Sequence, residues 1–197
     1  MRDKRVVKKL FCLILSLAMV VSPLSVSAAG SGNAAGTNYF TNGSFADGDG
    51  DGKADGWTYW NGTVAAAKSE IGESGLTISA DSSAESQRLT VHQTVTGLEA
   101  GKTYTFSGLL NVLSTSKGSV EIRYGLDGSN TRIAYHTSKT SGWEEMKADI
   151  TLPEGVTSIK FEIVVSAGAT LVTSVKDFCL ADSDNTGEEQ EGNLIVN

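Results

Sequence analysis

From about residue 74 to residue 182, apolar side chains keep returning at every second position. GLTISA places Leu76 and Ile78 in phase, and RLTVHQTV does the same with Leu89, Val91 and Val95. KTYTFSGLLNV aligns Tyr104 with Phe106, and SVEIRYGL aligns Val120, Ile122, Tyr124 and Leu126. The cleanest run is TSIKFEIVV, which turns Ile159, Phe161, Ile163 and Val165 inward and Lys160 and Glu162 outward. Alternation over roughly four to eight residues, repeated this often, is the pattern of half-buried antiparallel strands. The joining segments GLEAGK, GLDGSN and LPEG carry the Gly, Asp and Pro that hairpins and longer loops require. No stretch of the mature region holds the period of a long amphipathic helix. The pattern predicts an all-β fold in which two antiparallel sheets pack face to face as a β-sandwich or jelly roll.

The ends of the chain read differently. MRDKRVVKK is basic, LFCLILSLAMVV is uncharged and apolar, and SPLSVSAAG ends in small residues. That order predicts a secretory signal peptide over residues 1–29, cleaved after Ala28 or Ala29, and hence an extracellular destination. The apolar run is short for an uncleaved membrane anchor, the competing reading, so no membrane insertion is expected after cleavage. Residues 30–37, GSGNAAGT, read as a flexible leading segment. The domain itself is expected over 38–182, followed by an acidic linker over 183–192. Asn193-Leu194-Ile195-Val196-Asn197 repeats the N-apolar-apolar-x-N pattern of Asn38-Tyr39-Phe40-Thr41-Asn42, as though a further module of the same chain began there.

Charge and cysteine content narrow the partners. The formal charge is −7. The signal segment carries five basic residues and one acidic one, so its removal leaves −11. A chain this acidic repels phosphate backbones and anionic membranes, which argues against nucleic acid as a partner. It suits neutral ligands such as polysaccharides, and it suits cations. Cleavage leaves Cys179 as the single cysteine, so no intrachain disulfide forms and the core or a metal must hold the fold. Cys179 itself reads as a small buried hydrophobe rather than a nucleophile.

One loop concentrates carboxylates. DGDGDGKADGW, residues 47–57, sets Asp47, Asp49 and Asp51 at alternate positions, with Gly52 at the sharp turn, a carbonyl at Lys53 and then Asp55. An EF-hand calcium loop has that order of oxygens, but it ends in a bidentate Glu where this chain has Thr58. The stretch therefore departs from an EF-hand and is closer to the Asp-rich calcium loops of secreted repeats. Clustered carboxylates repel one another unless a cation lies between them, so a structural Ca2+ is expected here. A solvated acidic turn is the alternative.

Four segments occur in an order that resembles a known family: NYFTNGSFADGDGDGKADGWTYWNG, VHQTVTGLEAGKTYTFSGLLNV, GWEEMKADITLPEGVTSIKFEIVV and SVKDFCLAD. Together they are similar to the carbohydrate-binding modules of families 4, 9, 16 and 22, within the galactose-binding-like jelly rolls, over nearly all of 38–182. The resemblance implies a non-catalytic jelly roll, often joined to a secreted glycoside hydrolase or a surface protein. It also implies one structural calcium, and glycan binding in a concave groove or at the loop edge. The polysaccharide expected is of the β-glucan, xylan or mannan type. A cation site of the family pairs a Glu after NGSF with an Asp in the last strand; here Asp177 fits the second, but Ala46 replaces the first.

A sugar site requires aromatic faces and planar polar side chains. Trp57 and Trp143 read as core, as does Tyr124 from its phase. Trp60 and Tyr59 are strand neighbours and point oppositely, and Trp60 is the one expected to be free. Tyr135 stands in the same relation to His136. The polar candidates are Asn111, Glu121, Arg123 and His92, with Gln93 either reaching the groove or satisfying backbone. Catalysis lacks a motif: neither His92 nor His136 has partners at zinc-ligand spacing, and the neighbours Glu144 and Glu145 face opposite sides of a strand. The leading reading is a secreted, calcium-stabilised carbohydrate-binding module. A structural or adhesive surface repeat stands second and a small glycoside hydrolase third.

Overall fold

The computed structural model describes residues 37–60, 67–81, 87–167 and 170–183. The chain divides into two units, Met1–Gly32 and Asn33–Asn197, and the fold below belongs to the second. The expected signal peptide and closing repeat fall outside the described residues, as does the acidic linker apart from Ser183. Among the described residues, no helix is long and apolar enough to cross a membrane.

Ten strands follow one another: β1 Thr58–Trp60, β2 Ala67–Gly72, β3 Gly75–Asp81, β4 Gln87–Thr96, β5 Thr103–Thr115, β6 Gly118–Leu126, β7 Ser129–His136, β8 Glu144–Thr151, β9 Ser158–Ala167 and β10 Thr170–Asp182. They form two antiparallel five-stranded sheets, ordered β1-β4-β9-β6-β7 and β2-β3-β10-β5-β8. This is the expected β-sandwich, a jelly roll. The inward phase read from the alternation is the core: Leu76, Ile78, Leu89, Val91, Phe106, Val120, Ile122, Ile159, Phe161, Ile163 and Val165 are all buried. Tyr124 and Leu126 pack against that core from its margin.

The segment before β1 contributes an aromatic plug. Phe40, Phe45 and Trp57 are buried and meet Phe178 with ring centroids 5.9, 5.0 and 5.9 Å away. Phe106 lies 5.1 Å from the same ring, edge to face. Such arrangements add to simple area burial. Backbone bonds fix the segment to β10: Tyr39 N–H donates to the Leu180 carbonyl at 2.9 Å, and Phe178 N–H donates to the Gly43 carbonyl at 2.9 Å. Asn38 extends the ladder with its side chain, which donates to the Phe178 carbonyl at 3.0 Å and accepts from Leu180 N–H at 3.0 Å.

The contact is so close that Gly43 admits no side chain. A Cβ there would lie 1.8 Å from the Phe178 carbonyl oxygen. Gly43→Ala is therefore expected to destabilise the domain by about 3 kcal/mol, the upper part of the overpacking range. A Cβ on Gly142 meets nothing within 4 Å, so Gly142→Ala should stay within about 0.5 kcal/mol of wild type. Urea unfolding of the two variants checks this, and equal midpoints would refute the close approach.

Candidate functional site

The outward phase of the first sheet builds a face from four strand registers. Trp60 pairs with Thr90 and Thr90 with Val164. Val164 pairs with Glu121 and Glu121 with Tyr135. One straight row thus begins and ends in an aromatic ring, at opposite edges of the sheet. Four strand spacings separate them, about 19 Å. Trp60 and Tyr135 are 54% and 46% exposed, whereas Thr90 and Val164 between them are 5% each. Outward residues that are this well covered mean that the face is dished, with the aromatics on its rims.

The next row is ionic: Thr58, His92, Glu162, Arg123 and Arg132 pair in turn. Glu162 is buried, with both carboxylate oxygens taken. Arg123 reaches one oxygen at 2.6 Å and Lys160 reaches the other at 2.8 Å. Burial pushes the Glu162 carboxyl up, but the Lys160 ammonium and the Arg123 guanidinium outweigh this and hold it below its ordinary value. His92 is shifted down, by burial first and by Lys160 second, and is neutral at pH 7. Arg132 pairs with Glu121 at 3.3 Å and lies 4.3 Å above the Tyr135 ring, so one face of that ring is already occupied.

Two depressions meet along Lys160 and Glu162. One, of about 450 Å³, lies against Trp60, Arg88, Thr90 and His92. The other, of about 540 Å³, runs past Arg123 to the β6–β7 turn at Asp127, Gly128 and Asn130. Together they make a trough from Trp60 to the β6–β7 turn; Tyr135 and Glu121 line neither depression.

A second feature borders β1. Carboxylate oxygens of Asp47, Asp49 and Asp55 lie within 4.8 Å of one another. The loop curls around Asp47, which accepts backbone N–H groups from Gly50 at 2.8 Å, Asp51 at 3.2 Å and Gly52 at 2.9 Å. Desolvation raises the Asp47 carboxyl, but the Gly52 and Gly50 amides win and hold it below its ordinary value. Gly50 and Gly52 adopt φ of +78° and +82°, the left-handed conformation such a curl requires. Asn42 locks the base of the loop, donating to the carbonyls of Ala46 at 2.7 Å and Asp55 at 3.1 Å.

Residues 37–170 match the family model CBM_4_9, Carbohydrate binding domain. The chain belongs to this family of carbohydrate-binding domains. Among solved structures, a family 61 carbohydrate-binding module in complex with β-1,4-galactotriose is similar at 19% identity and a TM-score of 0.51, over 74% of this chain and 99% of its own. The CBM22-1 xylan-binding domain from Paenibacillus barcinonensis Xyn10C is similar at 13% identity and a TM-score of 0.51, over 77% and 97%. The enzymatically active domain of tailspike protein 4 from bacteriophage CBA120 is similar at 12% identity and a TM-score of 0.53; the likeness covers 74% of this chain but only 21% of that protein. At these identities the likeness is one of fold. No curated protein matches the sequence.

The carbohydrate-binding domain gathers most of the sequence-predicted sugar residues and disperses the rest. Trp60, His92, Arg123, Glu121 and Tyr135 share the dished face, and Tyr59 turns inward against the core. Gln93 is a correction: it is buried on the inward side, accepting from Thr41 N–H at 3.1 Å and donating to the Gly56 carbonyl at 2.9 Å. Asn111 is another, because β5 belongs to the second sheet and its outward face lies across the sandwich; there its side chain accepts from Thr140 Oγ1. Trp143, read as core, is 37% exposed on that far side with the Lys176 ammonium 4.5 Å from its ring.

Among the acidic candidates, Asp51 turns from the convergent trio to accept from Lys53 N–H at 2.8 Å. Asp177 also stands apart from them. It is exposed in a bulge of β10, at φ +56°, where Asp is better tolerated than most residues. The Ala46 carbonyl is engaged by Asn42 and by Asp55 N–H. Cys179 is half-buried, and burial raises its thiol, which suits a packing role.

Arg88 and Thr90 were missed as site residues, although they occupy the same outward phase of RLTVHQTV as His92. Lys160 and Glu162 were read as outward without being assigned to the site.

A carboxyl held low in the folded state contributes stability that is full above its unfolded value, here 4.5, and is lost as pH falls through the lower folded value. The stability gap between wild type and Glu162→Gln is therefore expected to be constant above pH 4.5 and to shrink below it. Urea midpoints across the acid range measure it. A gap that persists unchanged into strong acid would overturn the assignment.

Proposed function

We propose that this chain is a secreted, non-catalytic module that holds a polysaccharide strand on the dished face of the first sheet. One observation carries the reading: a single row of paired residues ends in Trp60 on one rim and Tyr135 on the other, over a floor of buried outward residues. Pyranose rings present apolar faces that stack on such rings, and hydroxyls that bridge charged pairs such as Arg123–Glu162. The span accommodates several sugar units, which fits a chain rather than a free monosaccharide. β-Glucan, xylan and mannan are the polymers to test first. Binding of this kind would concentrate an attached catalytic or surface module on its substrate without chemistry of its own.

Trp60→Ala is expected to weaken polysaccharide binding at least about tenfold, as the loss of one stacking platform implies. Affinity electrophoresis against the three polymers measures it. Absence of retardation by any glycan would return the module to the reading of a structural surface repeat, and release of reducing sugar by the isolated chain would make it an enzyme.

The loop at Asp47, Asp49 and Asp55 is proposed to hold a structural Ca2+. Its donor set fits: hard oxygens converge, and each carboxylate has more lone-pair sites than its backbone N–H partners occupy. Calcium at about a hundred times its Kd should add about 2.7 kcal/mol, several degrees of Tm for a domain of this size. Asp49→Asn should remove most of that gain. A melting temperature that a chelator leaves unchanged would refute the site.

A further inference from the structure

The Trp60 end of the trough has a chemical bias that neutral sugars do not require. Arg88 and His92 flank Thr90, the strand partner of Trp60, about 7 Å to either side along β4. Arg88 Nε and His92 Nδ1 are both shut off from solvent and have no hydrogen-bond partner. Arg88 Nε is thus a donor that nothing among the described residues satisfies.

Charge points the same way. Arg88 has no ion-pair partner among the described residues. Lys160 lines the same depression, but the one carboxylate it reaches, Glu162, is already shared with Arg123. Among the described residues that line this depression, cations thus exceed carboxylates, in a protein whose formal charge is −7. Surplus positive charge kept at one end of the trough, against the sign of the whole chain, selects for a ligand of opposite charge.

We propose that the polysaccharide is an acidic one, and that an anionic group of a sugar stacked on Trp60 is received by Arg88, with Lys160 farther along the same depression. The shared chemistry is a cluster of anionic oxygens, carried either by a uronate carboxylate or by a sulfate ester. The planar guanidinium fork matches either group. This rests on the trough being the glycan site.

The test is affinity electrophoresis of the full chain against polygalacturonate, carboxyl-reduced polygalacturonate, dextran sulfate and neutral β-glucan, xylan and mannan. The expected result is strongest retardation by an acidic polymer, falling at least tenfold in affinity when polygalacturonate is carboxyl-reduced if the group is a uronate. Preference for dextran sulfate over polygalacturonate would assign a sulfate ester instead. Arg88→Gln should lower affinity for the acidic polymer about tenfold, the worth of one charge-assisted hydrogen bond, and so lower the ratio of acidic to neutral binding. Trp60→Ala should weaken every glycan. Neutral polymers that bind as well as acidic ones, unaffected by Arg88→Gln, would overturn the acidic ligand and leave the sugar site standing. Retention by no polymer would overturn the sugar site itself. Should Arg88→Gln fail to fold, judged by thermal unfolding, Lys160→Gln carries the same comparison.

Discussion

Phe178 is held at both its backbone and its ring. Its N–H reaches the Gly43 carbonyl and its own carbonyl receives the Asn38 side chain, so the amino-terminal segment is laid against β10 like a further strand. The bulge at Asp177 sets two residues of β10, Asp177 and Phe178, against the single Gly108 of β5. Gly108 leaves room for the Phe178 ring, since a Cβ there would come within 2.7 Å of it. The ring then gathers Phe40, Phe45, Trp57 and Phe106 into one cluster. With Cys179 unpaired, this cluster and its backbone clamp do the closing that a disulfide performs in many small domains.

The dished face of the first sheet depends on that closure. Trp57 is anchored in the cluster and donates its indole N–H to the Asn42 carbonyl at 2.8 Å. Three residues later the chain has become the edge strand β1, so Trp60 stands on the rim because Trp57 is fixed below it. Tyr59, between them, turns inward and accepts from Ala54 N–H at 3.0 Å, which ties the acidic loop to the same edge. A cation in that loop would therefore stabilise the placement of the rim without touching the sugar.

Much of this was legible along the chain. Period-two alternation separated inward from outward residues in β3, β4, β5, β6 and β9, because a half-buried strand leaves no other way to bury its apolar side chains. The opposition of Tyr59 and Trp60 followed from the same rule, whereas the core placement of Trp57 came from the family resemblance. The Arg88–His92 phase was equally readable and was passed over, since an outward strand residue looks the same in sequence whether it lines a trough or faces open water.

What the sequence by itself determined is the fold class, most of the core and the phase of the five strands with clean alternation, all of which are local consequences of side-chain periodicity. Which strands became neighbours was decided only in the tertiary structure. Pairings such as β4 with β9 and β5 with β10 join residues far apart in the chain, and no local pattern encodes them. That is why Asn111 belongs to the far sheet, Gln93 closes a backbone gap instead of meeting ligand, and Trp143 lies exposed beneath Lys176. The row from Trp60 to Tyr135 has the same origin. Its five residues come from five strands, and only the hydrogen-bond register of the closed sheet sets them in line.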